Sequence, residues 1–231
     1  MDPGTVMLRQ MARAHRFNRW MADTLEPFVQ GDVLEIGAGI GNLTEFLCKD
    51  RNRYVATDAQ EEHLAFLRIR LKQKSNLQIA ICEASDPRDF LAWRKDFDTV
   101  VCINVLEHIE DDEVTLSNIF SVLRPGGQAI ILVPQGAAAF GSLDKVLLHH
   151  RRYSEQELTR KMSNTGFQVE IVVPFNRVTY PGWILNSRIL RRRTLSDLQL
   201  KCFDALVPIW RPIDRFLPFP PTSLIAIGRR N

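Results

Sequence analysis

The sequence predicts an α/β protein with a largely parallel central sheet. Short apolar strands alternate with helical segments along residues 31–173, a pattern typical of parallel strands whose sheet is covered by helices on both faces. A glycine-rich turn follows the first strand, at residues 37–41. The chain has 231 residues, of which 45% are hydrophobic. It can therefore bury one large core, and we expect a single domain over residues 1–231.

The predicted elements follow from the spacing of apolar residues and from residues that begin or end helices. In the N-terminal segment, residues 1–30, apolar residues recur at three- and four-residue steps between residue 5 and Pro27, which predicts one amphipathic helix. The other predicted helices span residues 42–50, 61–74, 114–123 and 154–164. The predicted strands span residues 33–36, 54–57, 77–82, 99–103, 128–133, 166–173 and 224–227. A turn is predicted from Pro125 to Gly127, before the fifth strand.

Residues 174–222 are predicted to form a cap that is inserted before the last strand, residues 223–231. The segment contains seven of the twelve prolines and large aromatic residues such as Trp183 and Trp210. It is too long for a hairpin loop, so we expect it to contain helices of its own.

Composition and charge exclude several classes of protein. A net charge of +3 is too small to predict a nucleic-acid partner. No apolar run approaches the roughly 18 residues that span a bilayer, and arginines interrupt the N-terminal segment where a signal peptide needs an apolar core. We therefore expect a cytoplasmic protein. The cysteines, Cys48, Cys82, Cys102 and Cys202, are far apart and form no CxxC pair, so neither a disulfide framework nor a metal site is predicted.

The strongest motif is the run E-I-G-A-G-I-G at residues 35–41, between a strand and a helix. Glycines at such a turn let a ligand approach the backbone closely, and the following helix offers free N–H groups, so we expect a nucleotide to bind here. The dinucleotide fingerprint G-x-G-x-x-G places its third glycine one position later, which disfavours NAD. No Gly-Lys-Ser/Thr follows the turn, which excludes an ATP-binding P-loop.

Further positions match the motifs of one family. Asp58 ends the second strand 21 residues after Gly37, Glu83-Ala84 follows the third strand, residues 103–109 read INVLEHI, and residues 123–127 read LRPGG. Together with the glycine run, these positions resemble the class I S-adenosylmethionine-dependent methyltransferases, and the resemblance covers the chain from about Phe17 to the C-terminus. It implies a Rossmann-like sheet of seven strands, six parallel and the last antiparallel, with residues 31–173 as the cofactor-binding core.

The resemblance implies S-adenosyl-L-methionine as the cofactor and S-adenosyl-L-homocysteine as the product. In the family, an acidic residue at the Asp58 position accepts hydrogen bonds from the ribose hydroxyls. The pair at Glu83-Ala84 corresponds to the adenine-binding pair, although Glu stands where Asp is commoner, and the segment at Asn104 lines the methionine end. The expected cofactor-binding residues are Glu35, Gly37, Ala38, Gly39, Asn42, Asp58, Ala59, Glu83, Ala84, Asn104 and Val105.

The candidate acceptor residues follow the fourth and fifth strands. An acceptor hydroxyl needs a base whose pKa is near the working pH, most simply His, whereas an amine need only bind in its neutral form. His149 is our first candidate for this base, and His108 is the second, with packing as its alternative role. The candidate catalytic residues are His149, His108 and Tyr153, and the candidate substrate-binding residues are His150, Arg151, Arg152 and Phe17.

The segment at residues 149–154 also resembles a bacterial subgroup of the family associated with glycan, cell-envelope or secondary metabolism. The alternative is a solvated basic turn that caps the following helix. We expect a small-molecule acceptor, or a glycan- or lipid-linked one, that is methylated on a hydroxyl or an amine. Arg152 and Tyr153 would suit a carboxylate or phosphate on that acceptor, because a guanidinium binds such groups through two hydrogen bonds.

Arginines at residues 188–193 lie beside apolar residues in the predicted cap. They would suit peripheral contact with anionic lipid or with a lipid-linked substrate, or they would form a solvated helix face. Two other functions stay open at this point. One is a protein that binds S-adenosylmethionine without methyl transfer, such as a regulatory partner or a cyclase, and the other is an RNA methyltransferase.

Overall fold

The computed structural model describes residues 3–49 and 51–231, and its centre is a mixed sheet of seven strands. The strands are β1 (Val33–Ile36), β2 (Tyr54–Asp58), β3 (Leu77–Ile81), β4 (Phe97–Ile103), β5 (Leu123–Pro134), β6 (Gln168–Phe175) and β7 (Ser223–Arg229). Their order is β3-β2-β1-β4-β5-β7-β6. Strand β7 is antiparallel to both of its neighbours, and the other neighbouring pairs are parallel. The predicted fold class is confirmed.

Helices cover both faces of this sheet. They are α1 (Pro3–Met11), α2 (His15–Leu25), α3 (Thr44–Leu47), α4 (Glu61–Arg70), α5 (Asp112–Val122), α6 (Ser142–Val146), α7 (Glu155–Asn164), α8 (Tyr180–Ile184) and α9 (Asp197–Ile213). Because successive side chains of a strand point to opposite faces, Leu34 and Val100 pack with α5 and α7, whereas Val33 and Val101 pack with α2, α4 and α9. The two faces therefore carry two separate apolar cores.

The order of the strands reverses at β1, which has β2 on one side and β4 on the other. Ile36 at the end of β1 pairs with Thr57 and with Cys102, so the three strands end at the same edge of the sheet. In open α/β sheets, ligands bind in the crevice outside the carboxyl ends of the strands at such a reversal. The fold thus places one candidate crevice beyond residues 36, 58 and 103.

The predicted single N-terminal helix is wrong, because the structure has two helices separated by a break at residues 12–14. Helix α2 packs Phe17 and Met21 into the core under the sheet, while α1 runs over the glycine-rich turn. The apolar residues of the segment therefore pack against two different surfaces, the core under the sheet and the glycine-rich turn. One straight helix cannot reach both. The side-chain amide of Asn18 donates a hydrogen bond of 2.8 Å to the carbonyl oxygen of Met11 at the break, where a helix end leaves carbonyls without partners.

The predicted turn from Pro125 to Gly127 lies instead within β5. Leu123 pairs with Phe97 and Gln128 pairs with Thr99, so the register of β5 against β4 shifts between these two pairs. The extra residues form a bulge, for which the φ of +80° at Gly126 is suited only to glycine. The turn residues interrupt the pairing without ending the strand.

Other boundaries differ by a few residues. The predicted helix at residues 42–50 is confined to α3, residues 44–47, and β6 continues to Phe175, so the inserted segment begins at residue 176. That segment contains α8, a π-helical turn at Leu185–Ile189 and the 17-residue helix α9, in keeping with the expectation of helices there. Within residues 3–49 and 51–231, no helix has both the length and the apolar character needed to cross a bilayer.

The inserted segment is anchored to α2 and to the chain just before it. Leu200 and Val207 of α9 are buried in the same core as Phe17. Asp204 accepts a hydrogen bond of 2.9 Å from the backbone N–H of Phe17, and Asp197 forms an ion pair of 2.9 Å with Arg13. The insert therefore packs on the N-terminal helices through both apolar and charged contacts.

Glu35 of β1 provides a pH test of the core. Its carboxyl group is buried and accepts hydrogen bonds from Thr44 Oγ1 (2.6 Å) and Tyr54 OH (3.0 Å). Burial nevertheless raises its pKa from 4.5 to about 7. The unfolded chain ionises this group near its ordinary value, so the stability that the neutral acid contributes falls as the pH rises from about 4.5 to about 7.

We therefore expect the wild type to lose about 3 kcal/mol of unfolding free energy relative to Glu35→Gln between about pH 4.5 and pH 8. The glutamine keeps the shape of the side chain and cannot ionise. Chemical denaturation of both proteins across this pH range measures the difference. Parallel pH dependences of the two proteins would contradict the raised pKa.

Candidate functional site

The glycine-rich turn connects β1 to α3 in backbone conformations that favour glycine. Gly37 has a φ of +72° and Gly39 a φ of +56°, values that L-residues with a Cβ rarely adopt. A Cβ built on Gly37 would lie 2.3 Å from Cγ2 of Val105. The turn is therefore in direct contact with the segment that follows β4, and both predicted cofactor segments line one crevice.

Asp58 joins the ends of β1 and β2. Its Oδ2 accepts a hydrogen bond of 2.9 Å from the backbone N–H of Gly39, and its Oδ1 accepts one of 2.9 Å from Gln60 N. His63 Nδ1 of helix α4 lies 3.1 Å from the same Oδ1. The carboxylate thus sits directly beside the glycine-rich turn, with Ala59 exposed next to it.

Helix α1, rather than α2, covers the glycine-rich turn. The side chain of Leu8 lies over Gly39, and the carbonyl oxygen of Leu8 accepts a hydrogen bond of 3.0 Å from the side chain of Asn42. Thr5 Oγ1 lies 2.9 Å from His63 Nε2. The predicted substrate residue Phe17 belongs to α2 and packs among aromatic rings that include Phe175, away from this turn.

The remaining predicted cofactor residues lie at the carboxyl ends of the neighbouring strands, with one exception. Glu83 is exposed, Ala84 is buried, and Asn104 is exposed with a φ of +54° directly after β4. The exception is Glu35, whose carboxyl group points into the core towards Thr44 rather than into the crevice. Glu35 therefore contacts the helix that follows the turn from the core side of the sheet.

On the acceptor side, His149 is held by a buried carboxylate. Asp144 of α6 is fully buried, and its Oδ1 lies 3.0 Å from His149 Nδ1 and 2.8 Å from Arg152 Nε. Burial acts to raise the pKa of Asp144, but the hydrogen bond from His149 and the charge of Arg152 lower it overall. An ionised Asp144 keeps the proton of the ring on Nδ1 and leaves the Nε2 lone pair free.

Two further groups lie against His149. The ring of His108 makes an edge contact with it, with 4.6 Å between the ring centroids. Burial of the ring lowers the pKa of His108 to about 4, although the residue as a whole stays exposed. Glu107 is fully buried, and neither of its carboxyl oxygens has a hydrogen-bond partner among the described residues. Burial raises the pKa of Glu107 to about 8.

Glu107, His108 and His149 each offer a ligand atom, and these atoms lie within 4.8 Å of one another. The sequence predicts no metal site, and its motifs do not single out Glu107 or Asp144. The motif around residues 103–109 contains Glu107 but does not reveal its burial. Asp144 lies five residues before His149, a spacing that matches no known pattern, so only the folded chain shows their contact.

The other predicted acceptor residues are engaged inside the protein. The Tyr153 ring is fully buried, its hydroxyl donates a hydrogen bond of 2.6 Å to Asp112 Oδ2, and burial raises its pKa. Arg151 forms an ion pair of 3.0 Å with the same Asp112 oxygen. Arg152 is buried and stacks on the ring of Trp183 at 4.5 Å. All three side chains therefore have partners within the fold, and their roles towards an acceptor stay predictions.

His150 differs from these three residues because its side chain is exposed. Its backbone N–H donates a hydrogen bond of 2.7 Å to the carbonyl oxygen of Glu107. This bond joins the segment after β5 to the segment after β4. Of the predicted acceptor residues, His108, His149 and His150 therefore lie where the segments after β4 and β5 meet, and Arg152 adjoins them through Asp144.

Comparisons with known proteins agree with this arrangement. A family model described as "Methyltransferase domain" matches residues 34–129. A probable S-adenosylmethionine-dependent methyltransferase of Mycolicibacterium smegmatis is 30% identical over 141 residues, which is 60% of this chain and 52% of the relative, so the match spans about half of that protein. A ubiquinone biosynthesis O-methyltransferase of Xanthomonas euvesicatoria is 27% identical over 180 residues, 72% of this chain and 73% of the relative.

Solved structures share the fold. A possible histamine N-methyltransferase of Thermotoga maritima superposes with a TM-score of 0.65 at 16% identity, covering 99% of this chain and 98% of its own. A putative methyltransferase of Bacillus halodurans superposes with a TM-score of 0.64 at 15% identity, covering 91% and 97%. The chain is similar to the class I S-adenosylmethionine-dependent methyltransferases in its fold, in its glycine-rich turn and in these matches.

The contact between Gly37 and Val105 yields a test with an internal control. Gly37→Ala places a Cβ 2.3 Å from Val105, whereas Gly136, with a φ of +80°, has nothing within 4 Å of an added Cβ. Both alanine variants strain the backbone by about 1–2 kcal/mol, but only Gly37→Ala must also displace Val105. We expect Gly37→Ala to bind S-adenosylhomocysteine at least tenfold more weakly than Gly136→Ala in calorimetric titrations. Equal affinities would show that the turn does not face the cofactor.

Proposed function

We propose that this chain transfers the methyl group of S-adenosylmethionine to a hydroxyl oxygen of its acceptor. The observation that carries the proposal is the pairing of His149 with the buried carboxylate of Asp144 at the carboxyl edge of the sheet. The orientation of the pair leaves Nε2 as the proton-accepting nitrogen. An amine acceptor in its neutral form needs no such base, whereas a hydroxyl does.

The residues of the crevice suit the cofactor. Gly37 and Gly39 have positive φ values and bring no Cβ to the turn. Asp58 is an ionisable acceptor beside that turn, suited to ribose hydroxyls, and Asn104 directly follows β4. When it is bound, S-adenosylmethionine supplies a methyl group on a positively charged sulfur, so no other activated carbon is needed. Glu83 and Ala84 are the corresponding residues for the adenine.

His149 would act as the general base on the acceptor hydroxyl. Its Nε2 would accept the hydroxyl proton while Asp144, through Nδ1, stabilises the imidazolium that forms. Asp144 is held in place by Arg152 and by the backbone N–H of Gly141 at 2.8 Å, so the base is preorganised. The resemblance to a ubiquinone biosynthesis O-methyltransferase supports a hydroxyl acceptor.

The surface of the inserted segment supports an acceptor that resides in or on a membrane. Helix α9 buries Leu200 and Val207 against α2 but carries a second row of exposed apolar residues on another side. This row, the α9 stripe, consists of Leu198 and, two turns later, Leu206, Ile209 and Ile213, followed by Phe216; the last four residues are spaced at three- and four-residue steps. Exposed apolar rows of this kind are typical of helices that lie in a membrane interface.

The charge of the insert suits an anionic surface. Residues 176–222 contain eight Arg and Lys and three Asp, a net charge of +5 in a chain whose total is +3. The three acidic residues are all engaged: Asp197 by Arg13, Asp204 by a backbone N–H and the buried Asp214 by Val178 N. The arginines at residues 191–193 are exposed. We therefore propose that the α9 stripe and these arginines contact anionic phospholipid.

The base assignment is tested by His149→Ala. Removing the base should lower the methyl-transfer rate by about 10²–10⁴-fold while the affinity for S-adenosylhomocysteine stays unchanged. The assay measures release of S-adenosylhomocysteine with a panel of phenols, aliphatic alcohols and primary amines. His15→Ala, which removes an exposed imidazole in edge contact with Phe46, is the control and should keep full activity. Turnover confined to amines, or an unchanged rate in His149→Ala, would contradict the proposal.

The membrane surface is tested by flotation with vesicles of pure phosphatidylcholine and of phosphatidylcholine mixed with phosphatidylglycerol. We expect binding to the anionic vesicles and loss of at least tenfold in affinity for Arg191→Gln/Arg193→Gln, since each arginine contributes about 1 kcal/mol near such a surface. Ile209→Ser/Ile213→Ser should also weaken binding. Ile69→Ser removes a side chain of α4 that is 73% exposed and is the control. Equal binding by all variants would refute this surface.

A further inference from the structure

We propose that Glu107, His108 and His149 form a binding site for one divalent transition-metal ion. Their ligand atoms lie within 4.8 Å of one another, and nitrogen and carboxylate ligands of Zn²⁺ stand about 2.0–2.2 Å from the ion. A closer approach of the Glu107 and His108 side chains to His149 would give the separations that such distances require. Because the His149 side chain is only 8% exposed, the site would be reached from solvent through the exposed His108.

The carboxyl group of Glu107 is the first observation that points to a ligand. It is fully buried, and both of its oxygens lack a hydrogen-bond partner among the described residues. A buried polar group without a partner costs about 1–3 kcal/mol, and more if it is charged. A cation bound by this group, beside the two imidazoles, would supply the missing partner and stabilise its ionised form.

The contact between His149 and Asp144 is the second observation. Histidines that bind metal ions almost always donate their other ring N–H to a carboxylate or a carbonyl, which fixes the tautomer and orients the ring. Asp144 Oδ1 lies 3.0 Å from His149 Nδ1, so the Nε2 lone pair is free for an ion. Arg152 and Gly141 N hold Asp144 in place, and the imidazole is therefore already oriented.

The set of ligands indicates which ion would bind. Two imidazoles and one carboxylate suit Zn²⁺ and its neighbours in the first transition row, whereas Mg²⁺ prefers oxygen ligands and retains its water. Three protein ligands leave at least one coordination position open. That open position lies at the carboxyl edge of the sheet, beside the segment after β4.

The consequence of the ion for catalysis rests on the proposed function, although the binding of the ion does not. In the metal-loaded protein, His149 Nε2 binds the ion and no longer accepts a proton. A hydroxyl of the acceptor at the open position would then lose its proton to water, because a bound divalent ion lowers the pKa of such a group. The loaded protein would use the ion, and the metal-free protein the imidazole, to produce the same alkoxide or phenolate.

The test is calorimetric titration of Zn²⁺ into the full chain after dialysis against a chelator. We expect one ion per chain for the wild type, and at least tenfold weaker binding for Glu107→Gln, which preserves the size of the side chain. Asp144→Asn should weaken binding by about 10–100-fold, since it removes the group that orients His149. Mg²⁺ at the same concentrations should not bind. Replacement by Co²⁺ gives a second readout, a visible absorption band typical of nitrogen and oxygen ligation.

Two control variants distinguish Zn²⁺ binding at this site from binding at other exposed side chains that can ligate metal ions. Cys202→Ser removes the exposed thiol, and His15→Ala removes an exposed imidazole; both should bind Zn²⁺ as the wild type does. Absence of stoichiometric binding, or binding that Glu107→Gln leaves unchanged, would overturn the proposal. Either result leaves the methyl-transfer rate of His149→Ala as a separate readout, so the failure of this site and the failure of the proposed function are distinguishable.

Discussion

The buried carboxylate of Asp144 is the interaction on which the acceptor side of the structure depends. It receives hydrogen bonds from His149, Arg152 and the backbone of Gly141, and Arg152 in turn stacks on Trp183 of the inserted segment. Removing one member of a buried ion pair typically costs 3–5 kcal/mol, because the other charge is left without a partner. One carboxylate therefore positions the histidine and also joins the segment after β5 to the insert.

On the cofactor side, a second carboxylate likewise joins separate segments of the chain. Asp58 binds the backbone N–H of Gly39, and His63 connects it to Thr5 of α1. Helix α1, which lies over the glycine-rich turn, is thus connected through His63 to Asp58, the carboxylate that is suited to bind ribose hydroxyls. The surroundings of Asp58 therefore include α1 as well as the glycine-rich turn.

The histidines show how neighbouring positions in the sequence acquire different chemistry. His149 and His150 are adjacent, yet the ring of His149 is turned to a buried carboxylate while His150 is exposed. Tyr153 lies four residues after His149, in the core, where its hydroxyl donates a hydrogen bond to Asp112. The sequence analysis grouped these residues as one acceptor-binding segment. The segment passes from the exposed His150 to the buried Arg152 and Tyr153, so adjacent residues of one predicted motif have different surroundings.

The sequence by itself determined the order of strands and helices, the glycine-rich turn and the acidic residue at the end of β2, because periodicity and backbone requirements are local properties. The sequence did not determine the break between α1 and α2. The same apolar spacing is compatible with one helix or two, and the contacts of each helix with the rest of the fold decide which of them forms. The continuation of β5 through Gly127 depends on pairing with β4, and the partners of Tyr153, Arg152 and His149 come from distant parts of the chain. The burial of Glu107 likewise arises only when the segments after β4 and β5 pack together, because burial and pairing are properties of the folded chain.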